Sequence, residues 1–296
     1  MANSQDKSDM QQELSREDHY FETGDGTRLA YYVWSRQTSP PCRALVLILH
    51  GIGFHARPYE VVAQGMDLQD ATFAALDFRG HGRSGGPSGE LPPTARMIQD
   101  IEDWVEHLQA SFIGVPTFLI AESMAGPYGT LYTLDNPGSV NGLILVAPAV
   151  VPSWRQALVS GSISDLTSLV TSPTSPSIDL SGHRPRMGSN DSAFAELRIS
   201  DPDAIHAVSP RYILRIGKTI AQLMTRRSLT TDASVQILHG DGDKVLSPVG
   251  SRILYHRLKS PDKSLVILPG ANHILFWDQY SRAVFTIMSN WIAGRT

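Results

Sequence analysis

Six short, continuous apolar segments alternate with helical patterns along the chain, and this rhythm constrains the fold more than any other feature. The segments are residues 44–50, 72–77, 116–122, 142–150, 235–239 and 265–268. Apolar runs without polar alternation are typical of parallel strands that are covered on both faces. The pattern therefore predicts βαβ units and a mostly parallel central sheet flanked by helices, which is an α/β fold.

Two amphipathic patterns predict helices beside this sheet, and one turn signal predicts how the sheet begins. Apolar side chains recur on one stripe over residues 94–112, with acidic side chains off the stripe, and a second stripe over residues 280–291 predicts a closing C-terminal helix. Residues 19–22 and 28–34 flank an Asp-Gly turn at residues 24–27. We therefore expect the sheet to begin with an antiparallel hairpin.

The strand rhythm stops between residues 151 and 231. Ser, Thr and Pro concentrate at residues 171–177, and a helical stripe of Ile213, Ile216, Ile220 and Leu223 follows. Because sheet signals resume afterwards, we interpret residues 151–231 as an inserted helical cap rather than a linker. The predicted organisation is a polar tail at residues 1–18, a core formed by residues 19–150 and 232–296, and the cap.

Composition excludes several classes of protein. With 42% hydrophobic and 18% charged residues, the 296-residue chain is expected to be globular. The 25 Lys and Arg residues are dispersed among 29 Asp and Glu residues, so we expect neither nucleic acid nor a charged membrane as partner. No apolar run approaches the roughly 20 residues of a membrane span. Residues 1–18 lack a secretory signal, and the single Cys42 excludes a disulfide within the chain, so we expect a cytoplasmic protein.

A candidate nucleophile follows the predicted strand at residues 116–122. Residues 121–126 read A-E-S-M-A-G and lead into a predicted helix. This block resembles the nucleophile elbow of the α/β-hydrolases, G-x-S-x-G, with Ala121 and Ala125 in place of glycine. The tight turn requires small residues at these two positions, and alanine meets that requirement. The alternative is that Ser123 only caps the following helix.

Other polar blocks end predicted strands at the edge where open α/β sheets place their active sites. They read H-G-I-G-F-H at residues 50–55, D-F-R-G-H-G-R-S at 77–84, H-G-D-G-D at 239–243 and G-A-N-H at 270–273. From about residue 20 to residue 292, the chain resembles the monoacylglycerol lipase and lysophospholipase branch of the α/β-hydrolase serine hydrolases. Its blocks look like H-G-x-G-x-H, D-x-R-G-H-G-x-S and x-x-S-M-x-G. The resemblance implies the α/β-hydrolase fold with an inserted cap.

The resemblance also implies the catalytic residues, because Ser123, Asp243 and His273 follow in the chain order of this superfamily. A serine is a poor nucleophile without a base, so His273 is expected to take its proton and Asp243 to orient the imidazole. Asp241 is the alternative acid, although the family block H-G-x-x-D favours Asp243. The N–H groups of Ile52 and Met124 are the expected oxyanion-hole donors.

The expected substrate pocket departs from the family pattern. In the monoacylglycerol lipase branch, the loop after the first parallel strand reads H-G-x-x-E-H-x-x-R-Y. Here Phe54 stands at the Glu position and Pro58 at the Arg position, whereas Tyr59 is retained. We expect Phe54, His55 and Tyr59 to line the pocket. Loss of the charge pair favours a less polar alcohol portion than glycerol.

Three further polar residues near these blocks are expected to have other roles. His50 and His81 are interpreted as structural, bracing the loops by hydrogen bonds. Glu122 is expected to face away from the pocket, because neighbouring residues of a strand alternate sides. The spacing of the histidines matches no metal-binding motif, so no metal ion is expected.

These observations predict a serine hydrolase that cleaves carboxylic esters through an acyl-enzyme, without cofactor or metal. The expected substrate is a small-molecule ester with an apolar acyl group. The same residues also serve thioester, lactone or carbon–carbon bond hydrolysis, and a non-catalytic binding protein is the alternative outside enzymes. Dehalogenases and epoxide hydrolases of this fold carry an Asp nucleophile, which Ser123 replaces here.

Overall fold

The computed structural model describes residues 14–36, 42–153, 172–180 and 192–296. The strands are β1 (Leu14–Glu22), β2 (Arg28–Arg36), β3 (Ala44–Leu49), β4 (Ala71–Leu76), β5 (Thr117–Glu122), β6 (Gly142–Val146), β7 (Ile178–Asp179), β8 (Ala207–Val208), β9 (Leu229–Thr230), β10 (Ser234–Gly240), β11 (Leu258–Lys259) and β12 (Lys263–Leu268). The helices are α1 (Glu60–Gly65), α2 (Thr94–Gln109), α3 (Ala125–Asp135), α4 (Ser192–Ser200), α5 (Pro210–Thr225), α6 (Pro248–Arg257) and α7 (Ser281–Ala293). None of the helices in these ranges has the length and hydropathy to cross a membrane.

An eight-stranded sheet forms the centre of the molecule, in the order β1-β2-β4-β3-β5-β6-β10-β12. Strand β2 pairs antiparallel with both β1 and β4, and the remaining neighbours are parallel. The predicted hairpin and the mostly parallel sheet are therefore confirmed. Parallel strands end at one edge, so the loops after β3, β5, β10 and β12 lie beside one another.

The apolar continuity of the central strands follows from burial on both faces. In β3, Leu45, Leu47 and Leu49 pack into one hydrophobic cluster with α2 and α3, whereas Val46 and Ile48 pack into the opposite cluster with α1 and α7. All five side chains are fully buried. A polar residue at any of these positions would face a helix, so a strand with alternating polarity does not suit this sheet.

Two predicted elements end earlier than expected, each for a local reason. The helix expected over residues 94–112 ends at Gln109 in tight turns, and Gly114 then adopts a φ of +76°. The strand expected over residues 142–150 ends at Val146 because Ala147 has a φ of +44° and Pro148 lacks an N–H for the ladder. The closing C-terminal helix is present as α7.

The predicted polar tail at residues 1–18 extends too far along the chain. Strand β1 starts at Leu14, and its ladder with β2 continues to the pair Leu14–Arg36. Polar residues alternate in this edge strand because one of its faces meets water. Residues 1–13 of the predicted tail lie outside the described residues.

The described part of the predicted cap contains helix α5, on which the predicted stripe falls. Ser209 caps its N-terminus by accepting the N–H of Tyr212 at 3.0 Å. The side facing the core carries Tyr212, Thr219 and Leu223, whereas Ile213 is exposed. The buried face is thus rotated from the predicted stripe, and Thr219 on this face is hydrogen-bonded to Thr94 of α2 at 2.7 Å. Residues 154–171 and 181–191 of the predicted cap lie outside the described residues.

Candidate active site

Ser123 occupies the sharp turn between β5 and α3, with a φ of +50°. The turn is held by two of its own backbone groups, since the Ser123 N–H donates to Val146 at 2.9 Å and its carbonyl accepts from Ala149 at 2.9 Å. Helix α3 approaches the strand closely, because a Cβ built on Gly129 would lie 2.9 Å from the Cβ of Ala121. A small residue at 121 is therefore required, and the strained turn places Ser123 at the wall of a cavity at the sheet edge.

Three side chains from separate loops form a hydrogen-bonded chain at this edge. The Ser123 Oγ lies 2.9 Å from His273 Nε2, and His273 Nδ1 lies 2.7 Å from Asp243 Oδ2. Asp243 follows β10 and His273 follows β12, so the parallel sheet brings both beside the turn after β5. All three residues are buried. The geometry allows His273 to accept the serine proton at Nε2 while donating to the carboxylate from Nδ1.

The alternative acid, Asp241, is directed elsewhere. Its Oδ1 accepts the backbone N–H of Gly270 at 2.6 Å and so ties two loops together. Asp243 also has a neighbour that the sequence analysis did not assign: His239 Nε2 lies 3.0 Å from Asp243 Oδ2. His239 is fully buried and its Nδ1 lies 2.7 Å from Ser251 Oγ. The sequence feature that could have identified His239 is its position at the start of the H-G-D-G-D block.

The pKa values of His273 and Asp243 depend on each other and on neighbouring groups. Burial alone lowers the pKa of His273, but the Asp243 carboxylate and its hydrogen bond, together with Glu122, raise the pKa above the ordinary histidine value. Burial raises the pKa of Asp243, whereas His273 and His239 more than offset this and hold it well below its usual range. Asp243 is therefore ionised at neutral pH and stabilises a protonated His273.

The two expected oxyanion-hole donors, Ile52 and Met124, lie on the loops after β3 and β5. Ile52 follows β3 and lines the same cavity as Ser123, and Met124 directly follows Ser123. Neither N–H donates to an acceptor within the described residues. Tyr59 fixes the first of these loops, because its hydroxyl accepts the Gly51 N–H at 2.9 Å.

Comparison with known proteins identifies the family of this chain. Residues 40–280 match the family model described as serine aminopeptidase, S33. The chain belongs to this serine aminopeptidase family. A monoacylglycerol lipase of Mycolicibacterium smegmatis is 29% identical over 280 residues, which cover 95% of this chain and 98% of that relative. Human monoglyceride lipase is 26% identical over 283 residues, covering 92% of this chain and 89% of its own.

Solved structures support the same assignment of the fold. A soluble variant of monoglyceride lipase from Saccharomyces cerevisiae, in complex with a substrate analog, has 25% identity and a TM-score of 0.84 over 95% of each chain. The monoacylglycerol lipase of Paleococcus ferrophilus has 22% identity and a TM-score of 0.73, covering 96% of this chain and all of its own. The predicted α/β-hydrolase fold and the predicted resemblance to the monoacylglycerol lipase branch are confirmed.

The cavity beside Ser123 in this family member is mainly apolar. Its apolar lining consists of Ile52, Phe54, Leu180, Phe194, Val245, Ile274 and Trp277. The Phe54 ring packs edge-on against Phe194 at 5.7 Å and Trp277 at 5.5 Å, so three chain segments form one aromatic wall. Leu180 and Phe194 come from the predicted cap and Trp277 from the loop after His273, and sequence spacing gave no signal for them.

Of the other two predicted pocket residues, Tyr59 lines the cavity and His55 is absent from its lining. The His55 ring is fully buried and its Nε2 lies 2.8 Å from Asp201 Oδ2, so it joins the loop after β3 to the predicted cap.

The two histidines that were interpreted as structural form hydrogen bonds to other segments of the chain. His50 accepts the Phe78 N–H at 3.1 Å, and His81 is hydrogen-bonded to Tyr212 at 2.8 Å.

The sequence pattern predicted that Glu122 faces away from the pocket, and this prediction is wrong. Glu122 lines the cavity, and the Tyr59 hydroxyl donates to its Oε2. Strand alternation is a poor guide here because the chain leaves β5 at this residue and turns at Ser123 with a positive φ. Burial raises the pKa of Glu122, whereas Tyr59 and His273 lower it less strongly. The described residues contain no cluster of three His, Cys, Asp or Glu side chains arranged to hold a metal.

Proposed function

We propose that the chain hydrolyses carboxylic esters through an acyl-enzyme formed on Ser123. The observation that carries this proposal is the pair of distances from Ser123 to His273, 2.9 Å, and from His273 to Asp243, 2.7 Å, beside an apolar cavity. The monoacylglycerol lipase and monoglyceride lipase relatives, which are carboxylic ester hydrolases by name, support an ester as the substrate. The chain is accordingly a carboxylic ester hydrolase.

The proposed reaction begins when Ser123 Oγ attacks the ester carbonyl carbon and passes its proton to His273 Nε2. Asp243 stabilises the imidazolium that results. Collapse of the tetrahedral intermediate breaks the bond to the alcohol oxygen, which takes the proton from His273. Water then attacks the acyl-enzyme by the same proton transfers in reverse and releases the acid.

The oxyanion of both tetrahedral intermediates is proposed to bind the N–H groups of Ile52 and Met124. Removing one such donor costs about 3–4 kcal/mol of transition-state stabilisation in other enzymes, so the position of the loop matters. Tyr59 supports this position, because its hydroxyl joins the Gly51 peptide to Glu122 at the end of β5. The two donors therefore belong to segments that are held together by one buried side chain.

The substrate is proposed to carry an apolar acyl group, because aromatic and aliphatic side chains form most of the cavity. Leu180 and Phe194 support the proposal that residues 151–231 form a cap over the pocket, since both line the cavity from that part of the chain. Phe54 at the family's Glu position favours a leaving alcohol that is less polar than glycerol. The lone Cys42 is compatible with the proposed cytoplasmic location.

The test is hydrolysis of p-nitrophenyl esters from acetyl to palmitoyl by the wild type, Ser123→Ala and the exposed control Ser228→Ala. We expect activity to peak at one chain length, to persist in Ser228→Ala and to be lost in Ser123→Ala without a change in circular dichroism. Activity in Ser123→Ala would contradict the assigned nucleophile. A folded wild type that cleaves no ester would contradict ester hydrolysis and favour thioester, lactone or carbon–carbon substrates.

A further inference from the structure

Arg198 brings a positive charge into the mainly apolar cavity beside Ser123. It lies near the end of helix α4 in the predicted cap and lines the cavity together with Phe54 and Trp277. The Arg198 side chain is partly buried, and this burial lowers its pKa. A cation in such surroundings requires acceptors or an opposite charge.

Among the described residues, Arg198 has few hydrogen-bond partners. Its Nη2 donates to the carbonyl oxygen of Ile52 at 3.2 Å, and no carboxylate of the described residues forms an ion pair with it. Glu122 shares the cavity, but its Oε2 is bonded by Tyr59 and its Oε1 accepts no hydrogen bond within the described residues. A guanidinium has five N–H donors, and among the described residues the carbonyl oxygen of Ile52 is the one acceptor given for those of Arg198.

The loop after β3 is shaped to accommodate this guanidinium. Gly53 has a φ of +64°, and a Cβ built on it would lie only 2.6 Å from Arg198 Nη2. The carbonyl of Gly53 also accepts the Ile205 N–H at 3.1 Å, which holds the segment after α4 against the same loop. The absence of a side chain at Gly53 therefore leaves the space that the Arg198 guanidinium occupies.

We propose that Arg198 binds a carboxylate of the substrate, so that the preferred substrates are esters that also carry a free carboxylate group. This inference rests on the proposed ester hydrolysis and revises the proposed substrate, because it adds one charged end to an otherwise apolar acyl group or alcohol. The planar guanidinium matches a carboxylate through two parallel hydrogen bonds, and low local polarity strengthens the attraction. The aromatic wall then contacts the apolar portion between the two functional groups.

The test compares matched esters that differ only in the carboxylate. One series pairs monomethyl esters of dicarboxylic acids with methyl esters of monocarboxylic acids of equal chain length. The other pairs butyrate esters of ω-hydroxy acids with butyrate esters of the corresponding alcohols, and proton release measures kcat/KM in both. We expect Arg198→Met to lower the ratio of charged to neutral kcat/KM at least tenfold in one series, and Arg198→Lys to lower it less. The exposed control Arg227→Met leaves the ratio unchanged.

Binding measured without turnover separates this inference from the proposed function. Calorimetry on Ser123→Ala and on Ser123→Ala/Arg198→Met is expected to give at least a tenfold weaker Kd for the charged ester in the double variant, with equal Kd values for the neutral ester. Equal ratios in wild type and Arg198→Met, or equal Kd values for the charged ester, would overturn the role of Arg198. Loss of all ester turnover with charge-dependent binding intact would instead overturn ester hydrolysis.

Discussion

Replacing Asp243 with asparagine is expected to slow ester hydrolysis without unfolding the protein. The Asp243 Oδ1 accepts the N–H groups of Val245 at 2.7 Å and Leu246 at 2.8 Å, whereas Oδ2 faces His273. An asparagine must keep its oxygen at the Oδ1 position, since its NH2 group cannot accept these two N–H donors. The NH2 group then faces His273 Nδ1, which moves the ring proton to Nε2, the nitrogen that must accept the proton of Ser123.

The size of the effect follows from the cost of reversing that amide. Turning the asparagine oxygen towards His273 restores the productive tautomer but leaves two buried backbone N–H groups without acceptors, at about 1–3 kcal/mol each. The total of about 2–6 kcal/mol corresponds to a decrease in kcat of roughly 30-fold to 3 × 10⁴-fold. The same replacement in other serine hydrolases of the Ser-His-Asp type falls at about 10⁴.

The assay is kcat on the best p-nitrophenyl ester, with circular dichroism to verify folding. Asp241→Asn is the matched control, because Asp241 accepts only the Gly270 N–H among the contacts described for its carboxylate and does not bond to His273. We expect its kcat to stay within threefold of the wild type. A loss of less than tenfold in Asp243→Asn, or a larger loss in Asp241→Asn, would refute this reasoning.

Three further predictions follow from the site and the packing. The first concerns pH: kcat/KM should rise with pH through a midpoint above 6.5, because catalysis needs neutral His273 and the pKa of His273 is raised. Glu122→Gln removes a negative charge beside His273 and should therefore lower that midpoint. Tyr59→Phe should lower kcat by about tenfold to a hundredfold with little change in KM, since the oxyanion loop loses its tether. In thermal unfolding, Gly240→Ala should lower the free energy of unfolding by about 3 kcal/mol, because the new Cβ would lie 2.1 Å from a backbone oxygen. Gly217→Ala should raise it by about 0.5–1 kcal/mol, because Gly217 lies in helix α5 and no atom lies within 4 Å of its new Cβ.

Distinct results would contradict each of these three. A midpoint that stays constant or rises in Glu122→Gln would mean that this carboxylate does not act on His273. A Tyr59→Phe variant with altered KM and unchanged kcat would assign Tyr59 to substrate binding rather than to the oxyanion loop. Equal destabilisation by Gly217→Ala and Gly240→Ala would mean that the close backbone contact of Gly240 is not the cause.

Much of the fold was predictable from local pattern, because burial on both faces of a sheet leaves a continuous apolar run in the sequence. Strands β3 to β6 and the hairpin of β1 and β2 follow from such runs and from the Asp-Gly turn. The boundaries were less predictable, since they depend on single backbone conformations such as that of Ala147. The start of β1 was missed because an edge strand with one solvated face resembles a polar tail.

The sequence also predicted which side chains to consider at the site, although the fold alone brings them together. Ser123, Asp243 and His273 each follow a parallel strand, and parallel strands present their carboxyl ends at one edge. The choice between Asp241 and Asp243 needed the structure, because two residues of one turn point in different directions. The orientation of Glu122 needed it as well, since the positive φ of Ser123 interrupts the strand alternation.

By itself, the sequence determined the sheet, the strand ends and the residue types available for nucleophilic chemistry, because these follow from hydrophobic period and short-range turns. Only the tertiary structure decided what surrounds them. Arg198 enters the cavity from the predicted cap, and Asp201 of the same region is hydrogen-bonded to His55. Such contacts join residues whose separation in sequence carries no periodic signal, so they arise from how distant segments pack rather than from any local pattern.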